Sequence, residues 1–271
     1  YSLMKEINFY KYNRIFGIIA GLFSFVIFSL TVEPTASYWD CAEYISTSAK
    51  LQIGHPPGAP LFQMLGAIFS ILAFDVTQIA YAVNMMSVTS SALTIMFLFW
   101  SISLLAKEIL NVKEIVKVSE AIKIFGSSFL GSITFTFTDS FWYNAVEAEV
   151  YAMATLILAL LFWLGLKWVD DFGKVRSDKW LILISFVVGL SFGVHFMGLL
   201  TIPALVLIYY YKNRHQLLKT IKVNNFYGFI IANLIGVIIL MGIFKLLLPN
   251  TLRFFSSIEL FFVNNLGLPF N

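Results

Sequence analysis

Charge is scarce in this 271-residue chain: Asp, Glu, Lys and Arg make up 12% of it, against 59% hydrophobic residues. A soluble domain carries about 25% charged residues, so that class is excluded. With a mean hydropathy of +0.83 the chain reads as an integral membrane protein. A single cysteine, Cys41, excludes an internal disulfide and a thiolate metal cluster, and leaves the redox compartment open. The two-residue alternation of a membrane barrel is missing as well. Apolar runs approach the roughly 20 residues that a helix needs to cross a bilayer. The expected fold is therefore all-α, a polytopic transmembrane helix bundle with short amphipathic helices in its outer loops. Neither repeats nor a soluble linker divide it, so residues 1–271 are expected to form one transmembrane domain. The net charge of +3 implies no nucleic acid. The first residues before Met4 read as foreign, and the ending "NNLGLPFN" reads as the N-terminal portion of a longer chain.

Candidate membrane segments are 15–32, 59–74, 79–105, 124–138, 151–169, 180–195, 197–211 and 226–248, seven or eight crossings in all. Their connections separate by charge. Lys5, Lys11 and Arg14 precede the first; Lys107, Lys113, Lys117 and Lys123 follow the third; Lys174, Arg176 and Lys179, then Lys212, Arg214, Lys219 and Lys222, occupy later turns. The positive-inside rule makes these cytoplasmic. The other loops hold Glu33, Asp40, Glu43, Asp139, Glu147, Glu149 and Glu259 against only Lys50 and Arg253. Counting every segment as a full crossing places 107–123 on the wrong side. Either the short segment 59–74, which follows "HPPG", is tilted or re-entrant, or 107–123 lies along an interface. The first option is preferred. Gly189 and Gly193, four apart, are expected to let helices approach closely.

The outer stretch "ASYWDCAEYISTSAKLQIGHPPGAP", 36–60, concentrates the chemistry. Ser37 followed by Asp40 resembles a capping box and Gly54 a stop, so a helix is expected over 38 to about 51. Its period would put Asp40, Glu43, Thr47 and Lys50 on one face and Tyr38, Ala42, Ile45 and Ala49 on the other. Two successive prolines after His55 impose a stiff extended entry to the next helix. Solvated carboxylates on an amphipathic connector would account for Asp40 and Glu43 equally well. In the second acidic loop, helical spacing would align Asn144, Glu147 and Tyr151, with Glu149 nearly opposite; Phe141, Trp142 and Tyr143 suit an interfacial aromatic belt. His195, in "FGVHFMG", reads as a hydrogen-bonded packing residue, although an ionisable group among apolar neighbours flags function.

"WDCAEY", "GHPPGAPLF" and "FWYNAVEAEVYA" together resemble the protein O-mannosyltransferase-like family of polytopic membrane proteins, long catalogued as a domain of unknown function, and at lower resolution the GT-C class of glycosyltransferases. The resemblance implies transfer of a sugar, mannose for this family, from a polyprenyl-phosphate donor to Ser/Thr hydroxyls of secreted or periplasmic acceptor proteins. It implies an inverting reaction without a metal or other cofactor, in the bacterial inner membrane with the active site facing the periplasm and membrane lipids around it. Asp40 and Glu43 are then the catalytic carboxylates. Classical members have adjacent Asp-Glu where two residues intervene here, which leaves open which of the two is the base. Lys50, His55 and Arg253 are the candidates for the donor phosphate; Lys50 reads equally as a solvated helix end, and for Arg253 a snorkelling side chain is the preferred reading. Glu149, Glu147, Tyr151 and His195 are the candidates for acceptor or sugar. A transporter or lipid flippase would place carboxylates at mid-membrane on broken helices, whereas these lie in loops. A non-catalytic subunit of an envelope or secretion complex is the third reading.

Overall fold

A computed structural model describes residues 6–56, 58–221 and 224–269; Met4 and Pro57 lie outside them. The chain divides into two compact units, one ending at Leu199 and one beginning at Leu200.

In the first unit a short strand β1 (Glu6–Asn8) leads into α1 (Phe9–Leu30), capped by the Asn8 side chain, which accepts from the Lys11 N–H. After the acidic loop come α2 (Cys41–Lys50) and α3 (Pro60–Ser70), then a 3-10 turn at Val76–Gln78 and the long α4 (Ile79–Ile109). Strand β2 (Ile115–Lys117), α5 (Val118–Thr136), α6 (Asp139–Ala145), α7 (Val150–Asp170) and α8 (Lys179–Ser191) follow. The architecture is helical as composition dictates, the two three-residue strands apart. All eight apolar segments of the sequence fall on helices. Among the described residues, four helical stretches are long and apolar enough to cross a membrane: α1, Val76–Ile109, α7 and Asn225–Leu266.

Helix α4 is the central element and packs on α1, α5 and α7. Its "SVTSSALT" stretch explains why: Ser87, Ser90, Ser91 and Thr94 are all buried, and small side chains let helices approach where no hydrophobic effect drives them together. Polar ties lock the register. The Ser24 and Thr136 hydroxyls bond at 2.8 Å between α1 and α5, and the Trp100 indole N–H donates to the Asn13 carbonyl at 2.9 Å between α4 and α1.

The conflict over 107–123 has a geometric answer. Strand β1 pairs antiparallel with β2, Glu6 opposite Lys117 and Asn8 opposite Ile115. The residues before α1 and those after α4 therefore share one end of the bundle. With α1 and α4 as crossings, nothing between them supplies a third. Helix α3 has 11 residues, about 16 Å at 1.5 Å per residue, roughly half of a hydrocarbon core. It starts where the Leu61 and Phe62 N–H groups donate to the Gly193 carbonyl at 2.8 and 3.2 Å, satisfying donors that an N-terminus leaves orphaned. Of the expected glycine pair only Gly193 works at close approach: a Cβ there would stand 2.7 Å from that of Leu61, whereas one at Gly189 would meet nothing within 4 Å.

The second unit comprises α9 (Ile202–Ile221), α10 (Asn225–Gly242), a π-helical turn Ile243–Leu247 and α11 (Leu248–Leu266). Helices α9 and α10 pack on each other, with the Cα of Pro203 3.0 Å from where a Cβ on Gly236 would lie.

Candidate functional site

The end of the first unit opposite the strands gathers the acidic loops. The Glu33 N–H donates to the Val146 carbonyl at 3.0 Å. The Asn84 amide, fully buried in the first turns of α4, donates to the Glu33 and Thr35 carbonyls at 2.6 and 2.8 Å.

Helix α2 differs from its sequence reading at both ends. Asp40, not Ser37, is the N-cap residue, and it makes no side-chain cap bond; the Ser37 hydroxyl donates to the Glu147 carboxylate instead. Trp39 is held at φ 58 and blocks an earlier start. Leu51 ends the helix in the left-handed region, and the Gln52 N–H closes on the Thr47 carbonyl at 2.8 Å, so Gly54 is not the stop. The faces are also redistributed: Cys41, Tyr44, Ile45, Thr47 and Ser48 are buried and Ala42 is exposed, since α2 packs against both α3 and α4.

His55 occupies the centre. Glu43 Oε1 accepts the His55 backbone N–H at 2.6 Å, and Oε2 lies 3.0 Å from His55 Nδ1. On the other side of the ring, Nε2 stands 3.7 Å from Asp40 Oδ2. Both bonds hold the Glu43 carboxyl below its ordinary range, the backbone bond most. The same Glu43 contact raises the imidazole. Both flanking carboxylates favour the charged form of the ring over the neutral one. Gly54 makes the arrangement possible: a Cβ there would come within 2.8 Å of Gln63 Nε2 and 3.1 Å of Glu43 Oε1.

Glu149 closes the site from the second loop. It is not on a helix with Glu147 and Tyr151 as spacing suggested, because α6 ends at Ala145 and Glu149 is the extended N-cap of α7, φ −112 and ψ 151. Extended backbone turns its side chain to the first loop, where Oε1 accepts the Asp40 N–H at 3.1 Å. Burial first, then the charges of Asp40 and Glu147, push the Glu149 carboxyl up to about 7. Glu147 is raised as well, again chiefly by burial. It lines a cavity of about 450 Å³ with Glu33, Ser37, Tyr38 and Tyr143. Tyr151, in the first turn of α7, meets the His195 ring at a tilt of 57° with ring centroids 5.4 Å apart. His195 Nδ1 accepts the Met197 N–H at 3.1 Å, which leaves Nε2 to carry the proton of the neutral ring.

Seven of the nine candidate residues thus lie at one end: Asp40, Glu43, His55, Glu147, Glu149, Tyr151 and His195. Lys50 is exposed at the far end of α2, about 15 Å along the helix from Asp40, and so stands apart from them. Arg253 is exposed on α11 in the second unit. The sequence reading missed Tyr44, which lies between the His55 ring at 6.0 Å and the Phe62 ring at 5.1 Å, and Asn84. An asparagine early in a predicted membrane segment was the signal for Asn84. Asp40, Glu43 and His55 each offer a ligand atom within 4.8 Å of the others, a donor set compatible with a divalent cation, although Glu43 already spends both oxygens on His55.

Comparison with known proteins places this geometry. Residues 40–219 match the model of the protein O-mannosyl-transferase TMEM260 N-terminal domain. The chain belongs to that family. It is 24% identical over 204 residues to the protein O-mannosyl-transferase tmem260 of Dictyostelium discoideum, covering 71% of this chain and 23% of that protein. It is 25% identical over 165 residues to the protein O-mannosyl-transferase TMEM260 of Mus musculus, covering 61% of this chain and 21% of that one. The chain thus spans under a quarter of the length of either relative. No solved structure matches it. The matched region begins at Asp40 and includes every candidate site residue but Arg253.

Proposed function

We propose that this protein carries the catalytic end of a membrane glycosyltransferase that moves a sugar, mannose by family membership, from a polyprenyl-phosphate carrier to a Ser or Thr hydroxyl. The observation that carries the reading is the convergence of Asp40, Glu43, His55 and Glu149 from two loops at the acidic end of the bundle. That end faces the extracytoplasmic side if the basic end obeys the positive-inside rule.

The two carboxylates divide the work by their bonding. Glu43 spends both oxygens on His55 and is a positioning residue that pins His55 to α2. Asp40 keeps a half-exposed carboxylate whose closest cation is 3.7 Å away, which leaves it free to accept a proton. The acceptor hydroxyl oxygen bonds to the anomeric carbon while its proton passes to Asp40. The bond from that carbon to the phosphate oxygen breaks, its electron pair leaving with the lipid phosphate, and one displacement inverts the centre. Charge gathers on the leaving phosphate, where the His55 ring, in its charged form, supplies the nearest positive group. Glu147 and Tyr151, with the cavity beside Tyr38 and Tyr143, line the space for acceptor or sugar hydroxyls.

The test is transfer of labelled sugar from a synthetic mannosyl polyprenyl phosphate to a Ser/Thr peptide by the full-length protein and its Asp40→Asn variant. Loss of transfer in a folded Asp40→Asn protein supports the reading; transfer at the wild-type rate removes Asp40 from it. Absence of transfer by the wild type from any lipid-linked sugar would leave the carboxylates to a transporter or a scaffold.

A further inference from the structure

A second polar cluster lies at the opposite end of the bundle, where the proposed chemistry makes no use of it. Asp170, at the end of α7, receives the Lys107 ammonium from α4, the Lys167 ammonium at 2.9 Å, and the Tyr10 hydroxyl from α1. All three charged side chains are less than a fifth exposed. One carboxylate thus serves two buried ammonium groups, and Arg14, one turn along α1 from Tyr10, has no carboxylate partner among the described residues. Arg14 is exposed, so its guanidinium is open to a ligand from outside the protein, while the two buried ammonium groups have one carboxylate between them. The surplus opens onto a cavity of about 260 Å³ lined by Tyr10, Asn13, Arg14, Trp100, Trp163 and Lys167.

Asn13 tells what the cavity wants. The residue is only 8% exposed, and its Oδ1 accepts the Ser103 hydroxyl at 2.6 Å. That bond fixes the amide so that its NH2 faces away from Ser103; this NH2 meets no acceptor among the described residues, and it is not sealed from solvent. An amide donor, an exposed guanidinium and a shared ammonium around one small space together suit an oxyanion. From Arg14 an apolar track continues along α1: Ile18 and Leu22, one and two turns on, are 42% and 59% exposed. A free phosphate would have no use for that track.

We infer that the Asn13, Arg14 and Lys167 cavity binds the phosphate of an anionic phospholipid, in the leaflet at the basic end of the bundle, with the acyl chains lying along Ile18 and Leu22 of α1. The cavity is smaller than the roughly 300–1,000 Å³ of drug-sized sites, which suits a headgroup. The site is on the far side of the membrane from Asp40, so the lipid is a resident one and not the sugar donor.

The experiment is native mass spectrometry of the delipidated full-length protein in neutral detergent. It is titrated with phosphatidylglycerol, with phosphatidylcholine of the same chains, and with inorganic phosphate as competitor. We expect phosphatidylglycerol to bind at least tenfold more tightly than phosphatidylcholine. Arg14→Gln should weaken it about tenfold, the scale of one charge-assisted contact, while Lys11→Gln, at an exposed position outside the cavity, leaves it unchanged. Equal binding of the two lipids, or an Arg14→Gln protein that binds like wild type, overturns the inference. Displacement by millimolar inorganic phosphate would make the ligand a free anion and overturn the lipid assignment.

Discussion

The side-chain oxygen of Glu149 accepts the backbone N–H of Asp40 at 3.1 Å, a bond between residues 109 positions apart that joins the two acidic loops at the carboxylate proposed as base. It also couples their charges. Asp40 is among the causes that raise Glu149, so the second loop carries a carboxyl that titrates near neutrality beside one free to take a proton.

Removing each carboxylate of the first loop should separate their roles. Asp40→Asn is expected to lower transfer by about 10²–10⁴-fold, the range for a general base, with the donor requirement little changed. Glu43→Gln should cost less in rate and, by releasing His55, lower the imidazole titration midpoint toward its ordinary value of about 6.5. Histidine NMR in a background with His195 and His215 replaced reads this directly. An unmoved midpoint would mean that Glu43 does not hold the ring.

Stability should fall as pH rises through the window that Glu149 defines. Its carboxyl, ordinarily at 4.5, is pushed up to about 7 in the folded protein. Below the unfolded value both states bind the proton and the folded state bears no cost. Between these values the unfolded chain releases its proton while the folded one keeps it, so stability declines, and above about 7 the decline stops. Glu149→Gln keeps an acceptor for the Asp40 N–H and removes the titration. Its melting temperature is expected to exceed wild type at pH 8 and to match it at pH 4, by calorimetry in detergent.

How much of this could be read in advance is clearest at α2. Short-range patterns located the helix and both carboxylates, because helical periodicity acts within a few residues. The stiff extended entry expected after His55 falls partly on Pro57, outside the described residues, and the Gly58 N–H instead closes back on the His55 carbonyl at 2.8 Å. The boundaries and faces of α2 went astray because partners far along the chain intervene: Glu147 takes the Ser37 hydroxyl, and α3 and α4 cover the side bearing Cys41 and Ser48. Glu149 was picked out by its motif, yet its reach to Asp40 depends on the break at 146–149, which helical spacing ran straight through. Tyr44 carries no local mark at all.

Gly54→Ala should disturb the site while sparing the bundle. A methyl group 3.1 Å from Glu43 Oε1 and 2.8 Å from Gln63 Nε2 must displace one of them. Transfer is expected to fall at least tenfold with an unchanged circular dichroism spectrum; retained activity would show that the turn has slack.

The sidedness of the chain can be checked with single cysteines, since Cys41 is fully buried and should not react. Ile53→Cys, at a position 95% exposed in the loop of the acidic end, and Lys113→Cys, beside β2, are expected to label with an impermeant thiol reagent from opposite sides. Labelling of both from one side would make α3 part of a full crossing.

Asp170→Asn should be the most damaging change at the basic end. It strands two buried ammonium groups, and breaking such a pair costs about 3–5 kcal/mol. Lys174→Ala, which loses an ion pair with a 60% exposed lysine, should cost about 0–1 kcal/mol. Thermal unfolding of the two variants side by side gives the comparison.

The three-residue ladder between Glu6–Asn8 and Ile115–Lys117 also has a meaning in time. A chain emerges from its N-terminus first, so β1 is made long before its partner exists, and at about 5–20 residues per second the wait is roughly 5–20 s. During that interval α1 enters the bilayer with its leading end untethered and with no α4 to receive the Trp100 bond to Asn13. The two acidic loops cannot meet until later still, when α7 has been made. Assembly therefore runs from the basic end toward the acidic one, and the candidate site is among the last parts of the first unit to take shape.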